Sequence, residues 1–127
     1  MRNQILIVAD SVLSLNILRS LFKNQGEFTI CGEAQSGREA VEKSQECYPD
    51  LVIIGFSMAC MNGLKAATKI KLNHPNLPII MLTDSKDHFL KLNASKAGVT
   101  LVHAKTDEID KVFDSARILL RPAPAAV

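Results

Sequence analysis

Four polar side chains each stand just past a short apolar run. Asp10 follows ILIVA, Thr83 and Asp84 follow PIIML, and Lys105 follows the run Val99–His103. A carboxylate in such a place can hold a cation, while a hydroxyl and an ammonium group can hold an anion. Asp10 alone is at most a weak metal site, and Thr83 also has a plain role as a strand-end hydroxyl bonded to backbone. The chain presents no credible nucleophilic triad, no metal-ligand cluster and no paired acid and base, so it is not expected to be an enzyme. A third apolar run, LVII, ends at Gly55, which brings no side chain at all.

The elements that must position these residues alternate five times between β-type runs and helical patterns. The runs are Gln4–Ala9, Phe28–Ala34, Leu51–Gly55, Leu77–Leu82 and Val99–His103. Three of them are apolar at nearly every position, as strands buried on both faces are. Asp10 or Ser11 is expected to cap the first helix, Asn62 the third and Thr106 the fifth. Ser36 and Glu39 form a capping box for the second. Gly26 and Gly98 stand where helix C-caps belong, and Pro49 and Pro75 follow the second and third helices. Ile109, Val112, Phe113, Ala116, Leu119 and Leu120 form one stripe of the last helix. Five such units predict a parallel sheet with right-handed crossovers and helices on both faces, its functional crevice outside the carboxyl ends of the strands.

Taken in order, Ile5–Asp10, Pro49–Gly63, Pro78–Thr83 and Ala97–Lys105 resemble the receiver domains of two-component response regulators, particularly those joined to helix-turn-helix transcription regulators. The resemblance runs from about Gln4 to Leu120 and implies a flavodoxin-like (βα)5 sandwich with strand order 2-1-3-4-5. It also implies an acidic pair for Mg²⁺ after the first strand and a phospho-acceptor Asp after the third. A Thr and a Lys then contact the phosphate. Asp10, Thr83 and Lys105 match that pattern, but the pair's other member is Ala9 and the acceptor position is Gly55. The aromatic switch position is Val102, and the Pro after the Lys is Thr106. The loop after the third strand reads Met58-Ala59-Cys60-Met61 in place of Met-Pro-Gly-Met. Glycine cannot form an acyl phosphate, and one carboxylate should bind Mg²⁺ weakly or not at all, so no cofactor is expected. Together the departures describe a degenerate receiver, or pseudo-receiver, that does not run phosphorylation.

The rest of the composition agrees with a single signalling domain over residues 1–121, followed by a Pro/Ala tail or linker over 122–127. The 127 residues are 47% hydrophobic and 22% charged, which excludes wholesale disorder, and the net charge of +2 is too even for a nucleic-acid partner. Lys65, Lys69, Lys86, Lys91 and Lys96 read as a solvated face. Cys31, Cys47 and Cys60 are an odd number at wide spacing, which argues against a disulfide framework and for a reducing cytoplasm. Cys60 reads as an incidental thiol, Met58 and Met61 as loop anchors, and His103 as a hydrogen-bonded strand histidine. No apolar run is long enough to cross a membrane. Leu13, Ile17 and Leu21 exceed what one sheet-facing stripe of the first helix requires. That surplus is what an interaction patch looks like, and the receiver resemblance implies a surface for a protein partner or a homodimer on the fourth-helix, fifth-strand, fifth-helix face or on the first and fifth helices. Two other functions compete: binding of a small anion in the crevice, and phosphorylation on another carboxylate, Asp10 or Asp84.

Overall fold

The computed structural model describes residues 3–55, 61–83, 88–104 and 109–120. The elements alternate as β1 Asn3–Val8, α1 Val12–Lys23, β2 Phe28–Ala34, α2 Gly37–Cys47, β3 Leu51–Ile54, α3 Met61–Asn73, β4 Ile79–Thr83, α4 His88–Ala97, β5 Leu101–Ala104 and α5 Ile109–Leu120. The strands form one sheet in the order β2-β1-β3-β4-β5, all pairs parallel. This is the expected flavodoxin-like sandwich.

Alternation along the strands sorts the core into two layers. Ile5, Ile7, Ala9, Leu51, Ile53, Ile80 and Leu82 face α1 and α5, where Leu18, Phe22, Val112, Phe113 and Ala116 cover them. Leu6, Val8, Val52, Ile54, Ile79 and Met81 face the other way, onto Ala40, Ala67, Ile70 and Ala94 of α2, α3 and α4. With both faces dry, the central strands need no polar side, which is why their runs read as continuously apolar.

Several boundaries differ from the sequence expectation, each for a local reason. Pro78 has no amide hydrogen and Leu77 N–H turns back to His74 O, so β4 begins at Ile79 rather than Leu77. Val99 N–H closes α4 on Ala94 O while Gly98, at φ +97°, donates to Ser95 O. This is a Schellman closure, so Val99 belongs to the helix end and β5 starts at Leu101. The α1 cap is Ser11, whose side chain accepts from Ser14 N–H, and not Asp10. Gly26 is not a C-cap either: α1 ends on Asn24 in a right-handed conformation, with its N–H on Phe22 O. Asn62 lies inside α3, one residue past its start, and so cannot be that helix's N-cap. In the capping box of α2, Ser36 Oγ accepts from Glu39 N–H at 3.1 Å as expected. The Glu39 carboxylate reaches the amide of Gln35 rather than that of Ser36. Asp84, Lys105, Thr106, Met58, Cys60 and the 122–127 tail lie outside the described residues.

Candidate functional site

Parallel pairing aligns the carboxyl ends of the strands along one edge, where Val8 pairs with Ile54, Ile54 with Met81 and Thr83 with Ala104. The ladder runs one residue past the two central strands. Ala9 N–H donates to Ala34 O at 3.0 Å and Gly55 N–H to Val8 O at 2.7 Å. Ala9 and Gly55 therefore sit side by side at the strand ends, and both are buried.

Gly55 has an ordinary backbone conformation; among the described glycines only Gly98 has a positive φ. Its lack of a side chain is a matter of space. A Cβ at position 55 would lie 3.2 Å from Ala9 Cβ, 3.2 Å from Leu18 Cδ1 and 3.4 Å from Val8 O. The α1 stripe that contains Leu15, Leu18 and Phe22 is legible as a helical period. What no spacing rule announces is that Leu18 reaches across to the end of β3.

Asp10 is exposed, one residue beyond Ala9. Thr83 closes β4 with only 1% of its surface exposed. Val102, at the expected switch position, is a half-buried aliphatic packed against the layer that contains Val8, Ile54 and Met81. His103 shares a hydrogen bond with Ser115 Oγ at 2.9 Å, tying β5 to α5 as a strand histidine should.

A divalent cation such as Mg²⁺ wants several hard oxygen ligands. At these strand ends Ala9 offers a methyl group and Gly55 offers nothing. Among the described residues no group of three or more His, Cys, Asp or Glu side chains is placed to hold a metal ion. The residues that follow β1 and β3, Ala9 and Gly55, thus bring no side-chain oxygen to such a site.

Beside Asp10 opens a cleft of about 320 Å³ between the α2 N-terminus and α3, lined by Gln35, Ser36, Arg38, Lys65 and Lys69 among others. Lys65 and Lys69 line it with Asp10, and Arg38 lines it while ion-paired with Glu42 at 3.4 Å. Elsewhere, Arg19 on α1 grips Glu33 of β2 through two nitrogens, Nε at 2.7 Å, and these hydrogen bonds hold the Glu33 carboxyl below the usual carboxylate range. Cys31 and Cys47, far apart in sequence, are both free thiols, and the fold brings their sulfurs to 2.7 Å.

Comparison with known proteins agrees with this architecture. The family model described as the response regulator receiver domain matches residues 5–119. The chain is 34% identical over 119 residues to the chemotaxis protein CheY of Thermotoga maritima, covering 94% of this chain and 93% of that one. It is 30% identical over 125 residues to the transcriptional regulatory protein YdfI of Bacillus subtilis, covering 94% of this chain and 59% of the relative's length. The response regulator domain of Thermotoga maritima CheB superposes with a TM-score of 0.84 at 22% identity, over 98% of this chain and all of that one.

Proposed function

The chain belongs to the response regulator receiver domain family of two-component signalling, and from that premise we propose that it signals without taking up a phosphoryl group at the end of β3. The observation that supports this is the packing at Gly55. The acceptor position has no carboxylate, and a Cβ there would press on Ala9 Cβ and Leu18 Cδ1, each at 3.2 Å. In this reading Ala9 and Asp10 are the remnant of the acidic pair, Thr83 and Lys105 the remnant of the phosphate pocket, and Val102 a switch position without its aromatic ring. No cofactor is part of the function.

Output then rests on surface contacts with a protein partner or a second copy. Val12, Leu13 and Ile17 are 59%, 71% and 49% exposed on α1, and Ile118 is 63% exposed on the neighbouring α5. Leu21, by contrast, packs against the core and drops out of the surface set. No nucleic acid or membrane enters the proposal. No helix among the described residues is long and apolar enough to cross a membrane, and we place the domain in the cytoplasm.

The test is the intact mass after incubation with Mg²⁺ and acetyl phosphate, beside a receiver that has its acceptor Asp. No gain is expected. A gain of one phosphoryl group overturns the proposal, and mapping it to Asp10 or Asp84 identifies the substitute acceptor. If the mass is unchanged but the protein neither self-associates nor captures a partner at micromolar concentration, the contact-based output fails.

A second reading, binding of a small anion, expected in the strand-end crevice of Thr83 and Lys105, is favoured instead at the cleft beside Asp10, where Lys65 and Lys69 stand with Arg38, itself paired to Glu42. Inorganic phosphate and a panel of anionic metabolites should then raise the melting temperature in proportion to saturation. A flat response across the panel removes this reading.

A further inference from the structure

β2 carries one residue more than β1 can pair. Ile5 aligns with Ile30 and Leu6 with Gly32, so Cys31 is the extra residue of a bulge at the edge of the sheet. The last residue of α2 is Cys47. The helix end lies against the strand at Gly32, where a Cβ would meet Leu6 Cδ1 at 3.3 Å and Cys47 Sγ at 3.4 Å. The outcome is two free, half-buried thiols with sulfurs 2.7 Å apart, inside ordinary non-bonded contact.

We propose that Cys31 and Cys47 are a modification site: an oxidisable thiol pair that closes to a disulfide when a small-molecule disulfide is the oxidant, fastening α2 to β2. A disulfide needs an approach of only about 0.7 Å from the present separation. The chemistry balances in two exchanges. The Cys47 thiolate attacks one sulfur of the oxidant, forming a mixed disulfide and expelling one thiolate. Cys31 then gives up its proton and attacks Cys47 Sγ, expelling the second. The two protein sulfurs lose two electrons, and the oxidant leaves as two thiols.

The order of attack follows from the surroundings of Cys31. Burial, the hydrogen bond with Cys47 and the charge of Cys47 push the Cys31 thiol up to about 12, which makes Cys31 the second sulfur to react. Cys31 is placed to resolve the mixed disulfide because its target sulfur is already in contact.

The test uses the full chain with Cys60→Ser, so that only the pair remains, and oxidised glutathione as the probe. Under native conditions the expected result is a mass lower by two hydrogens, no bound glutathione, no alkylatable thiol, and full reversal by dithiothreitol. With Cys31→Ser added, Cys47 should stop at a single glutathione adduct. The oxidised form should melt about 10 °C above the reduced form, as expected for a cross-link closing a loop of this length. Two alkylatable thiols, or glutathione adducts accumulating on native Cys60→Ser protein, overturn the proposal. An oxidised form that melts no higher than the reduced one overturns the fastening of α2.

Discussion

Replacing Phe22 by alanine is expected to cost the fold about 4 kcal/mol and to lower its melting temperature by about 15 °C. Phe22 sits in the last turn of α1 with no exposed surface. Its ring meets Phe28 of β2 edge-on at 5.5 Å between centroids, and Phe113 of α5 edge-on at 5.2 Å. Phe28 and Phe113 also meet, tilted, at 6.3 Å. One side chain thus joins two helices and the edge strand on the same face of the sheet. Alanine removes the transfer energy of a ring, leaves a cavity among residues anchored on three elements, and breaks two aromatic pairs worth about 0.5–1.5 kcal/mol each. Phe22→Leu keeps most of the volume and should cost about 1.5 kcal/mol. Urea unfolding of both variants measures the difference. A Phe22→Ala loss below about 1 kcal/mol, far under the usual range for a buried ring, means that the three elements collapse into the cavity. The consequence reaches the strand ends, because the helix that Phe22 anchors also carries Leu18 to Gly55.

The architecture was legible in the sequence because its signals are dense and redundant. Continuous apolar runs mark a sheet covered on both faces, and Ser36, Gly98, Pro49 and Pro75 punctuate the helices between them. Vacancies were legible too, since Ala9 and Gly55 announce themselves by lacking a carboxylate. Neighbouring candidates of similar chemistry were harder to separate. Asp10 and Ser11 both suit an N-cap, and only the backbone path decides that Ser11 takes the role. Tyr48 at φ 47° closes α2 in the left-handed region, a place where a reader of sequence looks for glycine. Least legible were contacts made across the fold. Cys31 and Cys47 are separated by a turn and a helix, and only a bulge that turns Cys31 toward α2 brings the sulfurs together. Leu18 against Gly55 is the same kind of fact.

Gly55→Asp returns a carboxylate to the end of β3, and it is expected to destabilise the fold by about 2–4 kcal/mol at neutral pH. Two costs add. The first is room: the new Cβ has Ala9 Cβ and Leu18 Cδ1 at 3.2 Å, so both must give by a few tenths of an ångström. Gly55→Ala isolates this part, at about 1 kcal/mol. The second is charge, because a carboxylate beside a methyl group and a leucine loses solvation, and its folded pKa rises above the unfolded value of about 3.9. The sign follows directly. The charge penalty is fully present above the raised folded pKa, shrinks as pH falls through it, and is gone below the unfolded value. The stability gap between Gly55→Asp and the parent chain should therefore narrow from pH 8 to pH 4, while the Gly55→Ala gap stays flat. A Gly55→Asp gap that is equally flat means that the carboxylate finds solvent or a cation, and the apolar description of this strand end fails. Phosphoryl uptake separates the remaining requirement. Gly55→Asp supplies an attacking oxygen but leaves Ala9 where a second metal ligand is needed, so acetyl phosphate with Mg²⁺ should load Ala9→Asp/Gly55→Asp at least about tenfold more fully than Gly55→Asp alone. Equal loading of the two variants would mean that Asp10 suffices to hold the metal. The proposed lack of phosphoryl uptake would then rest on Gly55 alone.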